Sequence, residues 1–267
     1  MDTAPPKISI EDLLAAIGSP YAPQIVDVRR TRAFDDEPTM IPGALRRLPA
    51  TVVAWAHGLD RARPVVAYCL HGNEVSQDTA RTLRETGFDA RHLAGGIAAW
   101  RARGGPTVRR LQAFNVPSAA PSRWVTRERP KIDRIACPWL IKRFIDPHAE
   151  FLYVPTDQVA AVAERESAIP FDVQGVKFGH SGERCTFDAI IDAFGLALPA
   201  LARLATIVRG ADTGRPELAP ESAGLIAVSR GLGILTPDDH ALLARGLPVY
   251  DALYAWCREE VDGTRRA

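Results

Sequence analysis

The sequence predicts a two-domain protein, an α/β domain followed by a helix-rich α+β domain, and three observations carry that reading. Short apolar runs at 24–28, 65–68 and 90–93 alternate with helical stretches in the amino-terminal part. A stretch with glycine and proline at its ends and little periodicity, 104–121, marks a boundary, and its part 109–121 reads as a linker between domains at 8–108 and 122–260. Beyond it, helical patterns follow one another at 187–194, 199–211, 220–231, 237–245 and 248–260. At 267 residues the chain is long enough to bury two cores.

Composition narrows the function classes. A hydrophobic share of 46% and a charged share of 24% are those of an ordinary soluble globular protein. A net charge of +1, with no clustered Lys/Arg face, gives no argument for nucleic acid as a partner. Four widely spaced cysteines without a C-x-x-C do not suggest a disulfide framework. The first residues lack the basic and apolar regions of a signal peptide, and no run is long enough to span a bilayer. The expectation is a cytoplasmic protein with no membrane contact, in a reducing compartment that suits a working thiol.

Taken in order, residues 8–17 read as a helix with Ser9 as N-cap, ended by Gly18-Ser19-Pro20. Gln24 to Val28 is a short strand, closed by Asp27 and Arg29. Thr51 to Leu59 is helical. Val65 to Tyr68 is β-branched and aromatic enough for a buried strand, and Ser76 to Glu85 is a helix stopped by Gly87. Cys69 therefore falls at the carboxyl end of a strand, facing the amides of Leu70, His71, Gly72, Asn73, Glu74, Val75 and Ser76 and the positive end of a helix. That geometry favours an anion, thiolate or persulfide. The competing reading is a buried core cysteine. His71 either tunes the thiol or faces solvent. Ala90 to Leu93 is a last strand, and Gly95-Gly96 turns the chain into a helix at 97–103.

With these residues in view, 8–108 resembles a single rhodanese (sulfurtransferase) domain. The matching motifs are Asp27-Val28-Arg29, Ile41-Pro42-Gly43-Ala44, the cysteine loop, and the stretch from His92 through Gly95-Gly96 to Trp100. The resemblance implies a doubly wound parallel sheet, Cys69 as the persulfide-carrying nucleophile, Asp27 and Arg29 as scaffold near the loop, and no cofactor. An exposed ion pair is the other reading of Asp27 and Arg29. The loop departs from the family pattern, which commonly has an arginine five residues after the cysteine. Here that position holds Glu74, with Val75 and Ser76 after it. Like charges at ~5 Å cost on the order of 1 kcal/mol, so a dianionic donor such as thiosulfate is opposed. Phosphatase-like chemistry is disfavoured further, because Val75 supplies no arginine clamp. A persulfide needs none.

In the second domain, 122–126 and 150–154 read as strands, 133–145 and 156–166 as helices, and 171–178 as extended. Thr156 and Thr186 are the expected N-caps, and Pro199, Pro220, Pro237 and Pro248 the expected first helical positions. Pro138 is costly inside a helix, so the regular helix is expected to begin there. That would leave Cys137 at its mouth with a depressed pKa, near Arg134 and Arg143. A Gly-rich loop from Phe178 delivers His180, Glu183 and Cys185 to a helix whose first turn carries Asp188. The runs Ile132 to Ile141, Cys185 to Asp188 and Tyr250 to Cys257 resemble the C-terminal domain of ChrB-type chromate-resistance proteins. The resemblance implies chromate resistance or a chromate-responsive role.

Three readings of this half stay open. One is an oxyanion site on Arg134, Arg143, Arg209 and helix N-termini. A second is a metal site on His180 and Cys185, joined by Glu183 or Asp188. The third is purely structural residues and buried thiols. The expected activity is sulfur transfer from a small sulfur donor through Cys69 to a thiol acceptor, with Cys137 and Cys185 as candidates for that acceptor. The rival is a non-enzymatic chromate-, oxyanion- or metal-responsive sensor.

Overall fold

The computed structural model describes residues 5–266, with side chains as far as Gly263. The chain divides into two units. One ends at Ala120 and takes in Arg143–Pro147; the other holds Pro121–Lys142 and the chain from His148 onward.

In the first unit, β1 (Lys7–Ile8) leads into α1 (Ile10–Ala16), where Ser9 caps the helix by accepting from the Asp12 amide at 3.0 Å. There follow β2 (Gln24–Asp27), α2 (Thr31–Asp35), β3 (Thr39–Met40), β4 (Ala44–Arg46), α3 (Val52–Ala56) and β5 (Val65–Tyr68). The unit continues through α4 (Glu74–Glu85), β6 (Ala90–Leu93), α5 (Gly96–Ala102) and β7 (Val108–Arg109). Five strands form a parallel sheet in the order β1-β6-β5-β2-β4. Every residue of β2 and β5 is buried, as an apolar run covered on both faces requires. Val26, Val65 and Ala67 pack with Val52, Ala56, Ala80, Leu83 and Phe88, which fastens α3 and α4 to the sheet.

The differences from expectation here are small. The helix expected at 51–59 shortens to α3 behind a 3-10 turn at Pro49–Thr51. The start of the Gly/Pro segment is not bare chain, because β7 pairs antiparallel with β3.

The second unit is built from β8 (Arg123–Arg127), α6 (Ile132–Leu140), β9 (Glu150–Val154), α7 (Val159–Glu166) and β10 (Ile169–Pro170). Four helices follow: α8 (Thr186–Phe194), α9 (Pro199–Asp212), α10 (Glu221–Leu235) and α11 (Asp239–Arg266). The strands make a parallel sheet in the order β10-β8-β9. Trp124 on β8 packs against Phe171, Phe178 and Phe194, and Trp139 on α6 against Phe187, Tyr250 and Tyr254.

Several expectations are corrected in this unit. The helix does not begin at Pro138; the proline lies inside α6. The carbonyl it cannot bond, that of Arg134, accepts instead from the Tyr153 hydroxyl at 3.1 Å. Past Leu140 the chain widens into a π turn, Ile141–Ile145. Residues 171–178 form no strand, only a bridge between Phe171 and Phe178. Thr156 and Thr186 are not N-caps: a 3-10 turn occupies Thr156–Gln158, and Cys185 caps α8 through a reciprocal pair with Asp188. Pro237 precedes the last helix and Pro248 lies within it, so the two helices expected after 236 are one. Among the described residues no helix is long and apolar enough to cross a membrane.

Candidate functional site

Strand β5 delivers Cys69 to the carboxyl edge of the sheet, between β2 and β6, where open α/β sheets place their ligands. The carbonyls of Cys69 and Leu70 accept from the amides of Ile97 and Ala98, both at 3.0 Å, so the first turn of α5 pins the loop. Gly72 and Gly96 make this approach feasible. Both have positive φ, and a Cβ on Gly96 would stand 2.4 Å from the Cys69 carbonyl oxygen. The bonds that secure the loop thus use its carbonyls. The amides of Leu70, His71, Gly72, Asn73, Glu74 and Val75 have no acceptor among the described residues, a run of unpaired N–H groups that favours an anion.

Cys69 is buried, with 6% of the residue exposed; its sulfur is 3.2 Å from the Ser76 hydroxyl, which also lies 3.2 Å from the Asn73 carbonyl oxygen as donor. None of the loop amides donates to Sγ itself. Their capacity is left for a group beyond it. His71, Asn73 and Glu74 are exposed, and Val75 is half-buried. Glu74 opens α4, where a carboxylate suits the helix dipole.

Asp27 and Arg29 are not an exposed pair. Both side chains are fully buried, joined at 2.6 Å, with further bonds of 3.0 Å from the Arg29 Nε to both carboxylate oxygens. Asp27 also accepts from the Tyr68 hydroxyl at 2.8 Å, so this pair holds the residue just before Cys69. Arg46 donates to the carbonyls of Asp27 and Arg29 at 3.1 and 2.7 Å.

In the second unit the expected metal pair, His180 and Cys185, separates. The His180 Nε2 lies 3.0 Å from Asp212, 3.3 Å from Asp172 and 3.6 Å from Asp133. Asp133 opens α6, Asp172 follows β10 in a left-handed conformation (φ 51°), and Asp212 closes α9. Burial, then the charges of Asp212 and Asp172, pushes the Asp133 carboxyl well above its usual range; burial and Asp172 raise Asp212 as well. Arg134 reaches Asp172 at 3.2 Å. Sequence reasoning found His180 and Arg134 but none of the three aspartates as partners.

The other candidates are not among the atoms grouped around His180, although Cys185 borders Asp133. Cys185 is buried, bonded to Asp188 at 3.6 Å, and Asp188 pairs with Arg209 at 3.0 Å. Glu183 is exposed and pairs with Arg215 at 2.9 Å, away from His180. Arg143 groups with the first unit. Cys137 is fully buried in α6 and its thiol is pushed well up by that burial, the reverse of the depressed pKa expected. Cys185 is likewise raised by burial, and Cys257 is pushed up to about 11. Neither Cys137 nor Cys185 is exposed to act as a sulfur acceptor. Alkylation of the native protein at pH ~8 is expected to mark Cys69 and spare the other three thiols, read by peptide mass spectrometry.

A parallel sheet with a cysteine at the carboxyl end of its central strand, followed by a loop of unpaired amides, defines a rhodanese-like domain. Residues 9–103 match the rhodanese-like domain family. Residues 124–257 match the family described as ChrB, C-terminal domain, and the chain belongs to that family, with the rhodanese-like domain ahead of it. It is similar to Protein ChrB of Cupriavidus metallidurans, 38% identical over 148 residues, covering 53% of this chain and 44% of that protein. The chain thus spans less than half the length of that relative. It is also similar to the thiosulfate sulfurtransferase GlpE of Coxiella burnetii, 35% identical over 79 residues, covering 29% of this chain and 71% of that protein. A crystal structure of a rhodanese-related protein from Thermoplasma volcanium aligns at 24% identity and TM-score 0.34, over 39% of this chain and 97% of its own.

Proposed function

We propose that the chain is a sulfurtransferase carrying a persulfide on Cys69, joined to a domain serving chromate resistance or an oxyanion response, in the cytoplasm. The observation that carries this reading is the set of six unpaired amides from Leu70 to Val75 around a cysteine at the carboxyl edge of the sheet. The Cys69 thiolate attacks the outer sulfur of a sulfane donor. An S–S bond forms, the donor's S–S bond breaks, and the leaving group (sulfite, from thiosulfate) departs with the electron pair. The outer sulfur then lies one bond beyond Sγ, where the amides can stabilise it. An external thiolate attacks that sulfur and releases Cys69.

Intact-protein mass spectrometry after exposure to thiosulfate or a polysulfide tests the reading. Cys69 should gain one sulfur atom, the gain should vanish on reduction and be absent in Cys69→Ser, and an unmodified Cys69 would sink the proposal. Because Glu74 opposes a dianion, Glu74→Arg is expected to raise kcat/KM for thiosulfate about tenfold or more, with a smaller effect on a neutral polysulfide.

Glu74 at the loop also favours a second reading, in which the rhodanese-like half is a binding scaffold and the protein a chromate or oxyanion sensor. Chromate-dependent thermal stabilisation of the full chain, without any sulfur transfer, would favour it.

A further inference from the structure

The three aspartates and one histidine of the second unit form a constellation that sulfur transfer does not use. One ligand atom from each of Asp133, Asp172, His180 and Asp212 lies within 4.8 Å of all the others. Their charges are poorly compensated from the protein: Arg127 and Arg134 both pair with Asp172, each at 3.2 Å. A second, independent observation points to a ligand. The Asp133 side chain is fully buried, and although its Oδ2 accepts from the amides of Thr186 and Phe187 at 2.5 and 3.3 Å, its Oδ1 makes no hydrogen bond. The Cys185 thiol borders the Asp133 carboxyl and also reaches Asp188 Oδ2 at 3.6 Å. A buried carboxylate oxygen without a donor costs about 1–3 kcal/mol or more, and a cation is the partner that removes the cost.

We propose that Asp133, Asp172, His180 and Asp212 bind one divalent metal ion. Three carboxylate oxygens and one imidazole make a mixed hard and borderline donor set, suited to Mn2+, Fe2+ or Zn2+ and poorly matched to Cu+. Carboxylate oxygens of the group are already oriented. Asp172 Oδ1 accepts from Thr186 Oγ1 at 3.1 Å, and Asp212 Oδ1 from the Asp133 amide at 3.3 Å. Such outer bonds hold ligands in place before the ion arrives. Asp172 keeps its left-handed backbone at a cost of about 1 kcal/mol or more, a strain that persists only where the surroundings impose it. Access is provided by a cavity of about 440 Å³ lined by Arg127, Thr156, Asp172, Val176, Gly179 and His180.

The test uses the untagged full chain, stripped with a chelator and titrated with MnCl2. Loss of the free Mn2+ electron-paramagnetic-resonance signal reads binding directly, and the melting temperature is followed in parallel. One ion per chain is expected, with Kd below about 100 μM and a raised melting temperature. His180→Ala and Asp212→Asn, at exposed and partly exposed positions, should keep the far-UV circular dichroism and weaken binding at least about tenfold. Absence of saturable Mn2+ and Zn2+ binding below about 1 mM, or binding that neither variant changes, would overturn the assignment.

Discussion

Asp27→Ala is expected to destabilise the rhodanese-like unit by about 3–5 kcal/mol, the cost of stranding a buried guanidinium. In the native protein the Asp27 carboxylate takes bonds from the Arg29 backbone amide, from Nε and Nη2 of its guanidinium, and from the Tyr68 hydroxyl. The mutation strands several buried donors at once. Arg29 has little to fall back on: its Nη1 already lacks a partner, and only the Thr39 carbonyl at 3.0 Å remains. The partial cation-π contact with Phe34, at 5.1 Å, does not replace a carboxylate. Burial lowers and the Asp27 bonds raise the Arg29 pKa, the net being a rise. Removing Asp27 leaves the lowering by burial, but a guanidinium is not deprotonated at neutral pH, so the stranded cation must be hydrated by opening the core. Replacing both residues with apolar ones of similar volume should cost less than the sum of the single changes. Hydrogen exchange of the β2 and β5 peptides measures this on the first unit alone. Protection unchanged to within about 1 kcal/mol would mean that the pair is not what holds the end of β5.

The cysteine loop was legible because everything that makes it is local. An apolar run, a cysteine, a glycine and a helical stretch follow one another within the segment, and each signal agrees with its neighbours. The Ser9 cap was legible for the same reason. The reading failed where a distant residue decides the matter. Pro138 is a sound local signal for a helix start, yet Tyr153, on another element, satisfies the carbonyl that the proline abandons. Cys185 displaced Thr186 as cap because Asp188 closes the reciprocal bond with residue 185, at 3.1 Å to its amide. The aspartates around His180 come from the start of α6, the loop after β10 and the end of α9. No spacing rule joins positions brought together only by tertiary packing, and the orphaned Asp133 oxygen is visible only in coordinates. The buried state of Asp27 and Arg29 was hidden likewise, since an Asp-x-Arg sequence looks the same inside and outside a core.

Gly96→Ala is expected to cost more than about 3 kcal/mol and to cut sulfur transfer about a hundredfold, although residue 96 touches no substrate. Two effects add. At φ 60° any side chain pays left-handed strain, about 1–2 kcal/mol. The new methyl would also meet the Cys69 oxygen at 2.4 Å, the Gly72 nitrogen at 2.6 Å and the Leu70 oxygen at 2.7 Å. All three are backbone atoms, which have no rotamer to yield. Relief requires the loop to move away from α5, breaking the bonds from Ile97 and Ala98 that fix the Cys69 and Leu70 carbonyls. A displacement near 1 Å at Cys69 is of the size that removes about two orders of magnitude in rate. Gly104→Ala separates strain from clash, since Gly104 has φ 71° with nothing within 4 Å of the added carbon. That variant should lose only about 1 kcal/mol and keep its sulfur-transfer rate. Equal losses in the two variants would show that conformational strain, not the contact between α5 and the cysteine loop, accounts for the effect.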